Sequence, residues 1–335
     1  MAGLSEPPAV SVITLAITGI VVDVYGLEEV PSSLTHVSVL WLHNPRLGDR
    51  GRMAPMAKRT VGEYNKTRPA GSTRGLLAVA FDQRNHGSRE VHHLANLAWR
   101  EGNTHHAQDM FGVVNGTVVD TRLLIDALPG YLFLEAAPRQ PEFDQHLCLG
   151  VSLGGHSTWQ TLFAEPRVTA GVSIIGCPDY QLLMTDRARL SKLSTYDAGG
   201  FLGSKDFPPA LVAQCAQYDP KGIVFGTQDV VVESPLPEEK QAQVRRVLDR
   251  HVKGKKFLLC TGGDDKLVPW RCSEPFTNFF VNAAQTWYRD SGLSVDNRIY
   301  PGRGHECSDE MVVDAVRFVC EVVNGAETGP VGSRI

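Results

Sequence analysis

The run Gly150-Val151-Ser152-Leu153-Gly154-Gly155 constrains this chain more than any other stretch of it. An apolar segment at 146–149 precedes it and a helical run at 155–163 follows. A buried strand must therefore turn abruptly into a helix. A turn that sharp brings the positions two before and two after Ser152 close together, and side chains there would collide. Glycines at 150 and 154 remove the collision. The residue at the apex takes a strained backbone conformation and holds its hydroxyl clear of the sheet. Free amides open the helix beyond it, which suits a developing negative charge. A spectator serine in a tight connection is the plainer alternative. The flanking strand and helix favour a nucleophile.

The rest of the chain repeats this alternation of apolar run, turn and helix. Strands are predicted at 10–17, 19–25, 36–42, 76–81, 146–151, 170–175, 256–260 and 294–300. The runs at 37–42 and 76–81 are apolar almost throughout, as in strands buried on both faces of a parallel sheet. Helices are predicted at 117–128, 153–163, 273–288 and 308–323, the last opened by Ser308 as an N-cap before Asp309 and Glu310. The pattern implies an α/β chain with a doubly wound, mainly parallel sheet and helices on both faces. The first two strands, joined by a short turn, should form an antiparallel edge. Residues 178–254 interrupt the alternation, with helix candidates at 190–193, 208–218 and 238–252. This stretch reads as a small helical cap between the sixth and seventh strands, shaping a pocket for a small molecule. The whole of 1–335 reads as one domain with a flexible tail at 324–335.

Composition narrows the partners. With 335 residues, 42% of them hydrophobic, the chain can bury a large core. A net charge of −4 without basic runs argues against nucleic acid and anionic membrane as partners. The apolar stretch 9–22 is too short to span a bilayer as a helix and lacks a basic leader. Seven cysteines, an odd number without a Cys-x-x-Cys pair, suggest reduced thiols in the cytoplasm rather than disulfides or a zinc site. No metal or organic cofactor is implied, and no pattern bears on oligomeric state. The closing Ser333-Arg334-Ile335 resembles a peroxisomal import address, with an untargeted frayed end as the alternative.

A serine nucleophile needs a base, and histidine has the suitable pKa. Of eleven histidines, only His251 and His305 lie in the last third of the chain, where the order Ser, acid, His would put the base. His251 ends a polar helical stretch. His305 sits in a glycine-flanked loop between the last strand and the last helix, and is the expected base. The acid should follow the seventh strand, in the run from Thr261 to Pro269. Asp265 is the expected acid, with Asp264 as the near competitor and Asp179, after the sixth strand, as a third candidate.

These motifs resemble those of the α/β-hydrolase superfamily over nearly the whole chain, and the chain looks closest to uncharacterised esterase-like hydrolases of fungi. Asp265 to Pro269 is similar to the family's D-x-x-V-P loop. Asp82-Gln83-Arg84-Asn85-His86-Gly87-Ser88 is similar to its D-x-R-G-x-G-x-S segment, which is structural, so Asp82, Arg84 and His86 are assigned no catalytic role. The resemblance implies a Ser152–His305–Asp265 triad and an oxyanion site using the amide of Leu153. The family's usual His-Gly after the third strand is replaced by Leu42-His43-Asn44-Pro45-Arg46, where Pro45 has no N–H to offer. The second oxyanion donor is then Asn44, or alternatively Arg46. The implied activity is acyl transfer to water, most naturally from a carboxylic ester. Lyase or condensation chemistry on the same scaffold is a second reading, and a non-catalytic binding protein a third.

Overall fold

The computed structural model describes residues 4–134, 140–230 and 236–327. Eight strands form one sheet: β1 (Val12–Ile17), β2 (Ile20–Tyr25), β3 (His36–His43), β4 (Arg74–Phe81), β5 (Glu142–Val151), β6 (Val168–Ile174), β7 (Lys256–Gly262) and β8 (Ser294–Tyr300). Their order is β1-β2-β4-β3-β5-β6-β7-β8. β2 pairs antiparallel with both β1 and β4, and the remaining pairs are parallel. The described helices are α1 (Ala54–Thr67), α2 (His106–Ala127), α3 (Leu153–Ala164), α4 (Tyr180–Leu190), α5 (Ser194–Asp197), α6 (Pro209–Tyr218), α7 (Pro220–Phe225), α8 (Glu238–His251), α9 (Trp270–Gln285) and α10 (Asp309–Glu327). This is the α/β-hydrolase fold.

The apolar strands explain the layers. Side chains alternate across a strand, so Val39 and Trp41 of β3 enter one core and Leu40 and Leu42 the other. Trp159 and Phe163 of α3, Leu248 of α8, and Phe276 and Phe280 of α9 close the first face. Met56, Val61 and Tyr64 of α1, with Met311, Ala315 and Val319 of α10, close the second. A third cluster lies beyond the strand ends. There α2 (Ala107, Met110, Phe111) packs on α4 (Tyr180, Leu183, Met184), α6 (Leu211, Cys215) and Leu153. Between β6 and β7 the chain forms α4 to α8, and α8 places Val244 and Leu248 in the sheet's own core.

Several elements differ from the reading of the sequence. Helix α1 was not expected, although Pro55 in its first turn and buried Met56, Ala57, Thr60, Val61 and Tyr64 follow helical spacing. Helix α2 starts at His106 rather than 117. Gly112 and Gly116 weaken its first half locally, and burial of Ala107, Met110, Phe111 and Val114 compensates. The helix placed at 190–193 is instead α4, ending at Leu190. Helix α10 continues to Glu327, so residues 324–327 of the expected tail are helical. Ser333-Arg334-Ile335 lies outside the described residues. All seven thiols are free, and only Cys307 is exposed. Among the described residues no helix is long and apolar enough to cross a membrane.

β3 lies between β4 and β5, so the winding of the chain reverses there. Ligands of open α/β sheets bind outside the strand ends at such a reversal. β5 ends at Val151, one residue before Ser152.

Candidate active site

Ser152 occupies the apex between β5 and α3 with φ 55° and ψ −112°, a conformation that a residue with a side chain rarely adopts. Tertiary packing holds it there, since strain of this kind costs about 1–3 kcal/mol. A Cβ on Gly150 would run into the carbonyl of Gly154, and one on Gly154 into the carbonyl of His43. Gly154→Ala is therefore expected to cost about 1–3 kcal/mol. It should lower the urea midpoint with an unchanged slope. A midpoint equal to that of the parent protein would show that the turn has room to spare.

Three distant segments meet above this turn. Ser152 Oγ lies 2.8 Å from His305 Nε2, and His305 Nδ1 lies 2.8 Å from Asp265 Oδ2. The loop after β8 carries the imidazole, and the loop after β7 carries the carboxylate. Asp265 Oδ1 accepts from the amides of Leu267 (2.8 Å) and Val268 (2.9 Å). The Asp265 side chain is fully buried, which alone would raise its pKa. The hydrogen bonds from His305 and the two amides outweigh that burial and hold the carboxyl below its ordinary value. It is thus ionised and oriented at neutral pH. The serine hydroxyl, imidazole and carboxylate stand in the arrangement of a Ser-His-Asp catalytic triad.

The competing candidates have other employment. Asp264 is exposed, and its amide donates to Arg303 O at 2.8 Å. Asp179 caps α4 by accepting from the amide of Leu182 at 2.9 Å, and burial raises its pKa. His251 Nδ1 lies 2.7 Å from Phe163 O, on the face of the sheet. Asp82 accepts from Arg50 and Ser88, and Arg84 pairs with Asp120, so both brace loops rather than meet Ser152. His86 Nδ1 lies 3.0 Å from Arg84 O.

Asn44 is fully buried at the end of β3. Its side chain donates to Pro45 O and Gly48 O, both at 3.1 Å, and accepts from the amide of Gln83 at 3.3 Å. A residue not singled out from the sequence, Gln83, organises this region. Its Nε2 donates to Asn44 O, and its Oε1 accepts from Thr117 (2.8 Å) on α2 and Ser157 (3.1 Å) on α3. Its place inside the Asp82 to Ser88 segment was the available signal, but only folding brings its three partners together. Leu153, in the first turn of α3, has no intrahelical acceptor for its amide. Among the described residues no group of three or more His, Cys, Asp or Glu side chains could hold a metal ion.

No protein-family model matches the chain, and no curated protein matches it. Solved structures do. The Thermus thermophilus protein TT1662 superposes with a TM-score of 0.55 at 16% identity, covering 94% of this chain and 99% of that one. Porphyromonas gingivalis dipeptidyl peptidase 4 superposes with a TM-score of 0.51 at 11% identity, over 94% of this chain and 35% of that one. A Mycobacterium tuberculosis puromycin-hydrolyzing peptidase gives 0.50 at 15% identity, over 96% and 41%. The chain thus spans well under half the length of the two peptidases, and identities this low establish a shared fold.

Proposed function

We propose that this protein is a serine hydrolase that acts through an acyl-enzyme on a carboxylic ester of a small molecule. The observation that carries the reading is the unbroken series of two 2.8 Å hydrogen bonds from Ser152 through His305 to Asp265. Ser152 Oγ attacks the carbonyl while His305 Nε2 takes its proton. Asp265 keeps the other proton on Nδ1 and stabilises the imidazolium that forms. The amide of Leu153 receives the oxyanion, together with that of Asn44, whose side chain is pinned by three hydrogen bonds beside the start of α3. His305 returns its proton to the leaving alcohol. A water, activated the same way, then releases the acid.

Residues 178–254 contain the cap in this reading, apart from α8, whose Val244 and Leu248 belong to the sheet's own core. Support comes from α4 and α6, which pack with α2 over Leu153 beyond the strand ends. A panel of p-nitrophenyl esters graded by acyl length, run in H₂¹⁸O, tests the proposal. Turnover should depend on acyl length, and one ¹⁸O should enter each acid released. Product formation without incorporated label would replace hydrolysis with acyl transfer or elimination.

A further inference from the structure

We infer that the substrate carries a carboxylate within a few bonds of its scissile carbonyl, held by the guanidinium groups of Arg46 and Arg187. The inference rests on the serine-hydrolase reading and names its substrate class.

A narrow crevice adjoins the nucleophile. Arg46, His86, Asn96, His106, Met110 and Leu153 line it, and Leu153 directly follows Ser152. Arg187 stands behind Met110, with Nη1 3.1 Å from the Met110 sulfur. Its Nη2 donates to Leu267 O at 3.3 Å, and the amide of Leu267 in turn donates to Asp265. One guanidinium thus lines the crevice, and the other bridges the crevice wall to the loop of the triad acid.

Neither arginine forms an ion pair with a carboxylate among the described residues, whereas Arg50, Arg74, Arg84, Arg89, Arg167 and Arg298 all do. The only hydrogen bond from the Arg46 side chain among the described residues is a 3.5 Å contact with Asn96 O. Arg187 Nε is buried without a hydrogen-bond partner among the described residues. Glu101, the carboxylate whose field reaches Arg46, is exposed and accepts from the amide of Ala98 at 2.9 Å. Burial, and then repulsion from Arg46, pushes the Arg187 pKa down to about 10. Both groups still carry their charge at neutral pH, half-buried and without a carboxylate ion pair among the described residues. Taking a charge out of water costs several kcal/mol unless something pairs with it.

The imidazoles do not supply that partner. Burial lowers the pKa of His86, and takes that of His106 down to about 3, so both rings are neutral. His86 Nδ1 faces a carbonyl and holds the proton, which leaves its buried, unpartnered Nε2 as an acceptor. Arg46 therefore presents one planar cationic fork in the crevice wall beside Leu153, and Arg187 stands behind Met110 as a second positive charge. A carboxylate matches such a fork with two parallel hydrogen bonds. An arriving substrate carboxylate would restore the interactions that the two charges lose on burial.

Two ester pairs test this. 4-Nitrophenyl hydrogen glutarate against 4-nitrophenyl valerate puts the charge on the acyl side. 4-Acetoxybenzoate against its methyl ester puts it on the leaving group. In one pair the charged member should be favoured more than about 10-fold in kcat/KM at low ionic strength. Arg187→Met and Arg46→Met should each reduce that ratio by about 10–100-fold, mainly through KM, and Arg187→Lys should retain part of it. Equal or better turnover of the neutral member in both pairs would overturn the inference, as would a ratio that survives both substitutions. Calorimetry with glutarate alone separates this inference from the hydrolase reading. If no ester is turned over, the hydrolase reading falls. Glutarate binding that is lost in Arg187→Met still supports the anion site, and no binding to the parent protein refutes it.

Discussion

Ser152→Ala is expected to lower kcat on the best p-nitrophenyl ester by about 10⁶-fold and to abolish labelling by an alkyl fluorophosphonate. Alanine keeps the Cβ that fixes the turn and removes only the attacking oxygen. His305 is left 2.8 Å from an atom that no longer exists, with no proton to accept. The residue would still sit at φ 55°, so the fold should persist and the unfolding midpoint should move little. Residual turnover would come from binding and the oxyanion amides alone. Labelling that persists in the variant at the parent rate would place the nucleophile elsewhere in the chain.

Asp265→Asn should lower kcat by about 10⁴-fold with a small change in KM. Oδ1 of residue 265 accepts the amides of Leu267 and Val268. An asparagine keeps those bonds by pointing its carbonyl oxygen at them. Its NH₂ then faces His305 Nδ1, which must accept rather than donate. The ring proton moves to Nε2, and that nitrogen can no longer take the proton of Ser152. Asp264→Asn is the control, because Asp264 is exposed and meets the loop through its backbone amide. It should leave kcat within about twofold, as substitutions at solvated positions usually do. Comparable losses in both variants would mean that the loop acts as a unit and that Asp265 has no distinct role.

Much of this architecture was legible because its causes are local. Most strand positions followed from runs of apolar residues bounded by their own turns, although β8 carries only Val295, Ile299 and Tyr300. Ser152 stood out because glycines at 150 and 154 have a steric purpose that spans five residues. His305 and Asp265 followed from their places after β8 and β7. Helix α1 could have been read from its spacing, while the first half of α2 could not. Its Gly112 and Gly116 argue against a helix until Phe111 and Val114 find the core. Asp179 and Asp264 looked like acids in the sequence because both follow strands. Their partners, the amide of Leu182 for one and solvent for the other, separate them from Asp265.

Patterns with a period of two or four residues, and turns that only glycine can make, belong to a segment wherever that segment goes. They were enough to specify the strands and the sharp turn, while the order of hydroxyl, carboxylate and imidazole along the chain was what the family resemblance implied. The placement of Arg46 and Arg187 on either side of Met110 had no such signature, because 141 positions separate them and neither has a distinctive neighbourhood. The same holds for Gln83, which joins Asn44 to α2 and α3. Contacts of this kind depend on how helices pack beyond the strand ends. A half-buried charge without an ion-pair partner among the described residues becomes visible only when the groups that could have neutralised it are seen to lie elsewhere.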